Sequence, residues 1–282
     1  MIILDKRDIL QDTLVKLKYK NNIKIGFVPT MGFLHQGHTS LVKKSISENN
    51  ITVCSIFVNP LQFNEQKDFD SYPRDFQKDI SMLEALKCDI VYIPDYKDIY
   101  PPTHKVREYD FQQLEQTMEG VHRKGHFQGV AEVVRILFEH VQPNTAYFGE
   151  KDFQQLLIVK ALVKQLRIPV EIIGCPIIRE QNGLAMSSRN SLLTVKAREK
   201  SGFIWQQLRF CTEQYQNYSP SQLQDIIKHN FSKQTDFELI YLEVVNRETL
   251  CPIQRWDEAA ETGVFCAARI EGVRLIDNIK LY

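Results

Sequence analysis

Short β-branched apolar runs that alternate with helix-period stretches are what most constrain the fold of this chain. IKIGFVPT from Ile23, ITVCSIFV from Ile51, DIVYIP from Asp89, TAYFGE from Thr145 and VEIIGCPII from Val170 each have the length of a buried strand. Between or beside them lie HTSLVKKSISEN, DFQKDISMLEALK, VAEVVRILFEHV and KDFQQLLIVKALVKQLR. In the second of these Phe76, Ile80, Leu83 and Leu86 recur at helical spacing. Pro143 is placed to end the third, and Ile168-Pro169 follows the fourth. Alternation on this scale predicts βαβ units, and so an α/β fold with a parallel sheet covered on both faces. Beyond about Cys175 the pattern changes. A helical stretch from Thr194 to Gln216 and another from Ser221 to Lys233 precede three strand-like runs, LIYLEVV, GVFCAARI and VRLIDNIKLY. Helices followed by strands predict a smaller α+β domain, which places the domains at residues 1–176 and 177–282.

Composition narrows the function. The 35 basic and 35 acidic side chains cancel. A sequence-independent nucleic-acid binder needs a basic surplus to displace counterions from phosphates, so nucleic acid is not the expected partner. A mononucleotide, with few phosphates, is still compatible with this balance. The six cysteines, Cys54, Cys88, Cys175, Cys211, Cys251 and Cys266, are scattered and form no C-x-x-C pair. They read as small buried hydrophobes rather than a disulfide framework. No window approaches the roughly 18 apolar residues of a membrane span, and MIILDKRDIL has no basic segment followed by a long apolar stretch. A cytoplasmic protein is expected.

The segment GFVPTMGFLHQGHTSLV carries the most chemistry. A strand from Lys24 to Val28 runs into Pro29-Thr30-Met31-Gly32, and His35 and His38 follow where a helix begins, at about Gly37 or His38. A helix N-terminus offers free N–H groups and a partial positive charge to an anion. Gly32 and Gly37 allow close backbone approach. Two imidazoles there are suited to donating to phosphate oxygens as charge develops. A metal site would need a third ligand, and a capping role is the bland alternative.

Three further segments follow. The second strand ends in FVNPLQFN, which puts Asn59, Gln62 and Asn64 at the carboxyl end of a parallel strand, where open α/β sheets bind ligands. TAYFGEKDFQQL is a strand, a turn at Gly149 and a helix start; Glu150 and Asp152 suit that first turn, whereas Lys151 opposes the helix dipole unless an anion sits there. PIIREQNGLAMSSRNSLLT turns at Asn182-Gly183 and then presents Met186, Ser187, Ser188 and Arg189. A guanidinium there can fork onto two phosphate oxygens, and a mobile polar loop can close over a triphosphate.

H-x-G-H after a first strand is the pattern of the nucleotidyltransferase superfamily, which includes class I aminoacyl-tRNA synthetases. The longer string PTMGFLHQGH resembles the pantothenate synthetase family, as do SIFVNPLQF followed by YPR, FGEKDFQQ and REQNGLAMSSRN. The similarity covers most of residues 23–194. A further family segment is matched less closely by HRKGHFQGVAEVV, with Lys124 where the family has proline and Glu132 where it has threonine; Asn182 stands in place of the usual aspartate.

The resemblance implies a Rossmann-like nucleotidyltransferase domain with a small α+β C-terminal domain. It implies ATP-dependent condensation of (R)-pantoate with β-alanine to pantothenate, through a pantoyl-adenylate, with release of AMP and pyrophosphate. His35, His38, Lys151 and Arg189 become the catalytic residues. ATP contacts are implied at Met31, Gly32, His35 and His38, at Gly149, Glu150, Lys151 and Asp152, and at Ile178, Met186, Ser187, Ser188 and Arg189. Pantoate and β-alanine fall to Asn59, Gln62, His126 and Gln155. Mg²⁺ is expected to bridge phosphate oxygens, with no protein ligand that the sequence names, and a homodimer is implied. An adenylyl- or cytidylyltransferase is the alternative, which Gln62 and Gln155 in their motif strings disfavour. His104, His122, His140 and His229 belong to no constellation.

Overall fold

The computed structural model describes residues 1–18 and 23–282. Strands β1 (Ile2–Leu4), β2 (Ile25–Thr30), β3 (Ile51–Ile56), β4 (Ile90–Tyr92), β5 (Thr145–Gly149) and β6 (Glu171–Cys175) form one parallel sheet in the order β1-β4-β3-β2-β5-β6. Five of these are the apolar runs singled out in the sequence. β1, three residues at the sheet edge, is too short to show a period. The central strands are buried along nearly their whole length, as strands covered on both faces must be. The connecting helices include Gln36–Glu48, Phe76–Ala85, His126–Val141 and Phe153–Leu166. His126–Val141 is buried at almost every position and stops at Gln142, which takes a left-handed conformation before Pro143.

The strand order determines where ligands can go. β2 pairs with β3 on one side and β5 on the other. The winding therefore reverses between β2 and β5, and the crevice of an open α/β sheet lies at the carboxyl ends of the strands at such a reversal. The turn carrying Met31 to His38 leaves the end of β2, and Gly149-Glu150 lie at the end of β5.

A second, antiparallel sheet consists of β7 (Phe237–Asn246), β8 (Thr262–Ile270) and β9 (Val273–Lys280). Leu208, Cys211, Leu223 and Ile227 of helices Gly202–Gln214 and Pro220–Ser232 pack with Leu242, Val264 and Cys266 of the strands. The expected single helix from Thr194 to Gln216 is two, Val195–Lys200 and Gly202–Gln214. At the break Ser201 Oγ donates to Ala197 O at 2.7 Å.

The chain divides into two compact units. The first holds Met1–Phe111, Arg123–Glu150 and Gln155–Pro176; the second holds Gln112–His122, Lys151–Gln154 and Ile177–Tyr282. The two short insertions into the second unit leave no sequence signal, because what ties them is polar and distant in the chain. Gln154 Nε2 donates to Leu114 O at 2.6 Å and Thr117 O at 2.9 Å, and Glu119 accepts from Tyr241 Oη and Arg274. All six cysteines are free thiols, and all but Cys251 are buried. Among the described residues no helix is long and apolar enough to cross a membrane.

Candidate active site

The histidine turn is built by hydrogen bonds. Thr30 Oγ1 donates to Ser55 O at 2.7 Å and accepts from Gly32 N at 3.2 Å. Gly32 has φ +80°, and a Cβ there would lie 2.9 Å from Asp79 Oδ2 and 3.0 Å from Ile56 Cγ2. Phe33, also left-handed at φ 50°, donates to Asp79 Oδ2 at 2.8 Å, and Leu34 N donates to Asp79 Oδ1 at 2.6 Å. Asp79 is 1% exposed. Burial pushes its carboxyl up from the ordinary value, and the two N–H donors pull the other way.

His35 caps helix Gln36–Glu48, one residue earlier than the sequence suggested. Its Nδ1 accepts from Gly37 N at 3.1 Å, and His38 Nδ1 accepts from His35 N at 3.3 Å. The bland capping reading and the phosphate reading are thus compatible. An imidazole that accepts at Nδ1 carries its proton on Nε2 when neutral. The cap therefore defines the tautomer of two neighbouring rings, 4.1 Å apart at their centroids, as Nε2–H donors.

Asn59, Gln62 and His126 are brought together with Met31. Gln62 Nε2 donates to Met31 Sδ at 2.9 Å, and His126 Nδ1 donates to Gln62 O at 2.7 Å. His126 Nε2 then accepts from Arg123 Nη1 at 3.2 Å. Asn59, expected at the substrate, is held from within the protein. It is 1% exposed, and its amide is used up inside the protein. Nδ2 donates to Gly129 O and Gln62 Oε1, and Oδ1 accepts from Tyr100 Oη and Leu61 N. Both protons and both lone pairs are thereby engaged, one of them on the Gln62 side chain. In the divergent loop the Lys124 carbonyl accepts from Asn64 Nδ2.

Of the third segment, Glu150 packs over Gly174, whose added Cβ would lie 3.1 Å from its Oε1. Gln155 is half-buried on the first turn of helix Phe153–Leu166. Gly149 keeps no positive φ, so the turn does not depend on glycine as expected. Lys151 and Asp152 fall in the second unit, with Lys151 Nζ 3.5 Å from Asp152 Oδ1 and Lys151 O accepting from Asn278 Nδ2 at 3.0 Å.

The fourth segment, also in the second unit, is a hydrogen-bonded hairpin rather than a slack loop. Met186 N donates to Ile178 O at 2.9 Å, Arg179 bridges Ala185, and Glu180 N donates to Leu184 O at 2.8 Å. Gly183 turns it with φ +90°, and Trp205 fills the space a Cβ would need. Ser187 Oγ accepts from Arg189 N at 3.3 Å and so caps the short turn Ser188–Leu192. Ser188 is buried; Met186, Ser187 and Arg189 are half-buried. The Asn182 amide donates to Arg198 O and Glu199 O at 2.8 and 3.1 Å, bonds that the family's usual aspartate could not make.

Within each unit the donors suit phosphate oxygens: N–H groups and imidazoles in the first, hydroxyl and cationic groups in the second. Among the described residues no three His, Cys, Asp or Glu side chains are grouped to hold a metal ion. The sequence reading missed Asp79, Tyr100, Arg123, Arg179, Asp277 and Asn278. Three of these left a signal as polar groups set in an apolar pattern: Asp79, four residues before Leu83 on a buried helix face, and Asp277-Asn278 within the strand run VRLIDNIKLY.

A sequence model of the family described as pantoate-β-alanine ligase matches residues 2–280. A pantothenate synthetase of Cytophaga hutchinsonii is 44% identical over 262 residues, 92% of each chain. One of Flavobacterium psychrophilum is 43% identical over the full length of both. The crystal structure of a pantothenate synthetase from Thermus thermophilus is 39% identical, covers 100% of both chains and superposes with a TM-score of 0.93. A pantoate-β-alanine ligase from Francisella tularensis, described as complexed with β-γ ATP and β-alanine, is 38% identical, with a TM-score of 0.83 over 99% of this chain and 97% of its own.

Proposed function

This chain belongs to the pantothenate synthetase (pantoate-β-alanine ligase) family and is a ligase, and from that membership we propose that it joins (R)-pantoate to β-alanine through a pantoyl-adenylate. In the first step a pantoate carboxylate oxygen attacks the α-phosphorus of ATP, and the bond to pyrophosphate breaks. In the second, the neutral amine of β-alanine attacks the acyl carbon, AMP leaves with the electron pair of the acyl–phosphate bond, and the nitrogen loses a proton.

The observation that carries this reading is the tautomer imposed on His35 and His38. Two Nε2–H donors at a helix N-terminus, beside the sheet's switch point, stabilise charge as pyrophosphate departs. Lys151, Ser187, Ser188 and Arg189 of the second unit are assigned to the same nucleotide by their motifs, with Gly149, Glu150, Asp152, Ile178 and Met186. Gln62 and Gln155 hold pantoate; His126 and Asn59 orient Gln62. Mg²⁺ would arrive with the nucleotide and would offset phosphate charge there, with no protein ligand assigned to it. The working form is taken to be a cytoplasmic homodimer, checked by sedimentation.

The test is pyrophosphate release from MgATP with D-pantoate alone, then AMP formation on adding β-alanine. Pantoate-dependent release before β-alanine is expected. Release that requires β-alanine from the outset would overturn the adenylate, and a product retaining the nucleotide would overturn the ligase chemistry.

A further inference from the structure

We propose that Asp277 and Asn278 of β9 are positioning residues for the nucleotide, locking the Lys151 turn and the Ile178–Arg189 hairpin to one strand. The inference rests on the assignment of those two segments to ATP. Asp277 takes a forked ion pair from Arg179, with Nη1 at 2.6 Å from Oδ2 and Nη2 at 3.0 Å from Oδ1. Arg179 stands at the base of the hairpin. Its Nη1 also donates to Gly183 O at 3.0 Å, its Nη2 donates to Asn278 O at 3.3 Å, and its guanidinium lies 3.6 Å over the Trp205 ring. One group thus ties the hairpin's first arm and its turn to the strand. Asn278 holds the other segment, donating from Nδ2 to the Lys151 carbonyl at 3.0 Å.

Successive side chains of a strand leave on opposite faces. Asp277 pairs across the ladder with Cys266, a member of the core under the helices, and Asn278 pairs with Phe265, whose ring lies 5.8 Å from that of Phe153. The dipeptide therefore holds the hairpin on one face and the lysine turn on the other, within a single unit. Packing alone does not account for such residues here. Each is 3% exposed in the small domain's sheet. A buried ion pair stabilises a fold no better than apolar side chains of similar volume. What it does supply is a directional, two-point bond, which sets where Ser187 to Arg189 stand relative to Lys151.

The experiment measures steady-state pyrophosphate release for Asn278→Ala, Asp277→Asn, Lys151→Met and the double variant Asn278→Ala/Lys151→Met, with thermal melts of each. A misplacement of about 1 Å costs up to about 100-fold in rate. Asn278→Ala is therefore expected to lose about 10- to 100-fold in kcat/KM for ATP while the KM for pantoate holds within about twofold. Because the lost bond acts through Lys151, adding Asn278→Ala to Lys151→Met should cost little more. Asp277→Asn should show the same split between ATP and pantoate. Fully additive losses, equal effects on both substrates, or a loss that only tracks the folded fraction would overturn the proposal. If Lys151→Met abolishes release while Asn278→Ala is silent, the positioning role alone falls. If Lys151→Met is itself silent, the nucleotide assignment falls and takes this inference with it.

Discussion

Asp79 offers the sharpest perturbation of the histidine turn. Its carboxylate accepts from Phe33 N and Leu34 N at 2.8 and 2.6 Å, under a turn in which Gly32 and Phe33 are both left-handed. Asp79→Ala removes both acceptors. Each buried N–H left without a partner costs about 1–3 kcal/mol. Against this, the variant no longer buries a carboxylate, which the raised Asp79 value marks as costly. The net loss should be about 3 kcal/mol, read from urea unfolding. The functional effect is separable from it. Phe33 holds a conformation that disfavours a side chain by about 1–2 kcal/mol, so without Asp79 the turn relaxes and carries His35 with it. Pyrophosphate release by the folded variant should fall about 10- to 100-fold, the scale expected for a misplaced donor. Asp79→Asn, which keeps one acceptor, should lie between. A folded Asp79→Ala protein with wild-type kcat would show that the turn is held by something else.

Three other outcomes follow from buried or bonded groups. Glu132 is fully buried with Arg135 at 2.6 Å, His104 Nε2 at 3.0 Å and the Tyr109 hydroxyl; burial alone would push its carboxyl up, but these partners, Arg135 and Tyr109 foremost, hold it below the usual range. Glu132→Thr, the family's residue, leaves Arg135 its second partner Glu139 at 2.5 Å and should cost about 1–3 kcal/mol in chemical denaturation, and Glu132→Thr/Arg135→Leu should recover most of it; equal losses in both would refute the pairing. Asn182→Asp sets a carboxylate against the Arg198 and Glu199 carbonyls and should lower stability by about 1 kcal/mol at this half-exposed position, seen as a lower Tm. His140, 3% exposed beside Tyr92, is pushed down to about 4 by burial. Its folded value lies below its unfolded one, so its contribution is complete above about 6.5 and is lost as pH falls towards 4. That loss is about 3 kcal/mol at most, and His140→Asn should flatten the curve of unfolding free energy against pH in that window.

What the sequence made legible was what local pattern encodes. Five of the six strands of the parallel sheet follow from apolar runs, the four internal ones because a strand buried on both faces must be apolar throughout. The H-x-G-H turn follows from residues adjacent in the chain, so the cap, the helix start and both imidazoles could be placed together. Asn59 shows where such reading stops. Its position after β3 put it at the ligand end of the sheet, but its partners Tyr100 and Gly129 are 41 and 70 residues away, and they turn the amide inward. The side chains that hold the motifs in place are of this second kind: Arg179 meets Asp277 across 98 residues, and Asn278 meets Lys151 across 127. No spacing rule reaches that far. The one trace such residues leave is a polar group where the pattern calls for an apolar one, as at Asp79 four residues before Leu83 and at Asp277-Asn278 within VRLIDNIKLY. Because burying such a group without a partner is costly, the intrusion itself says that a partner exists, and only the fold says which.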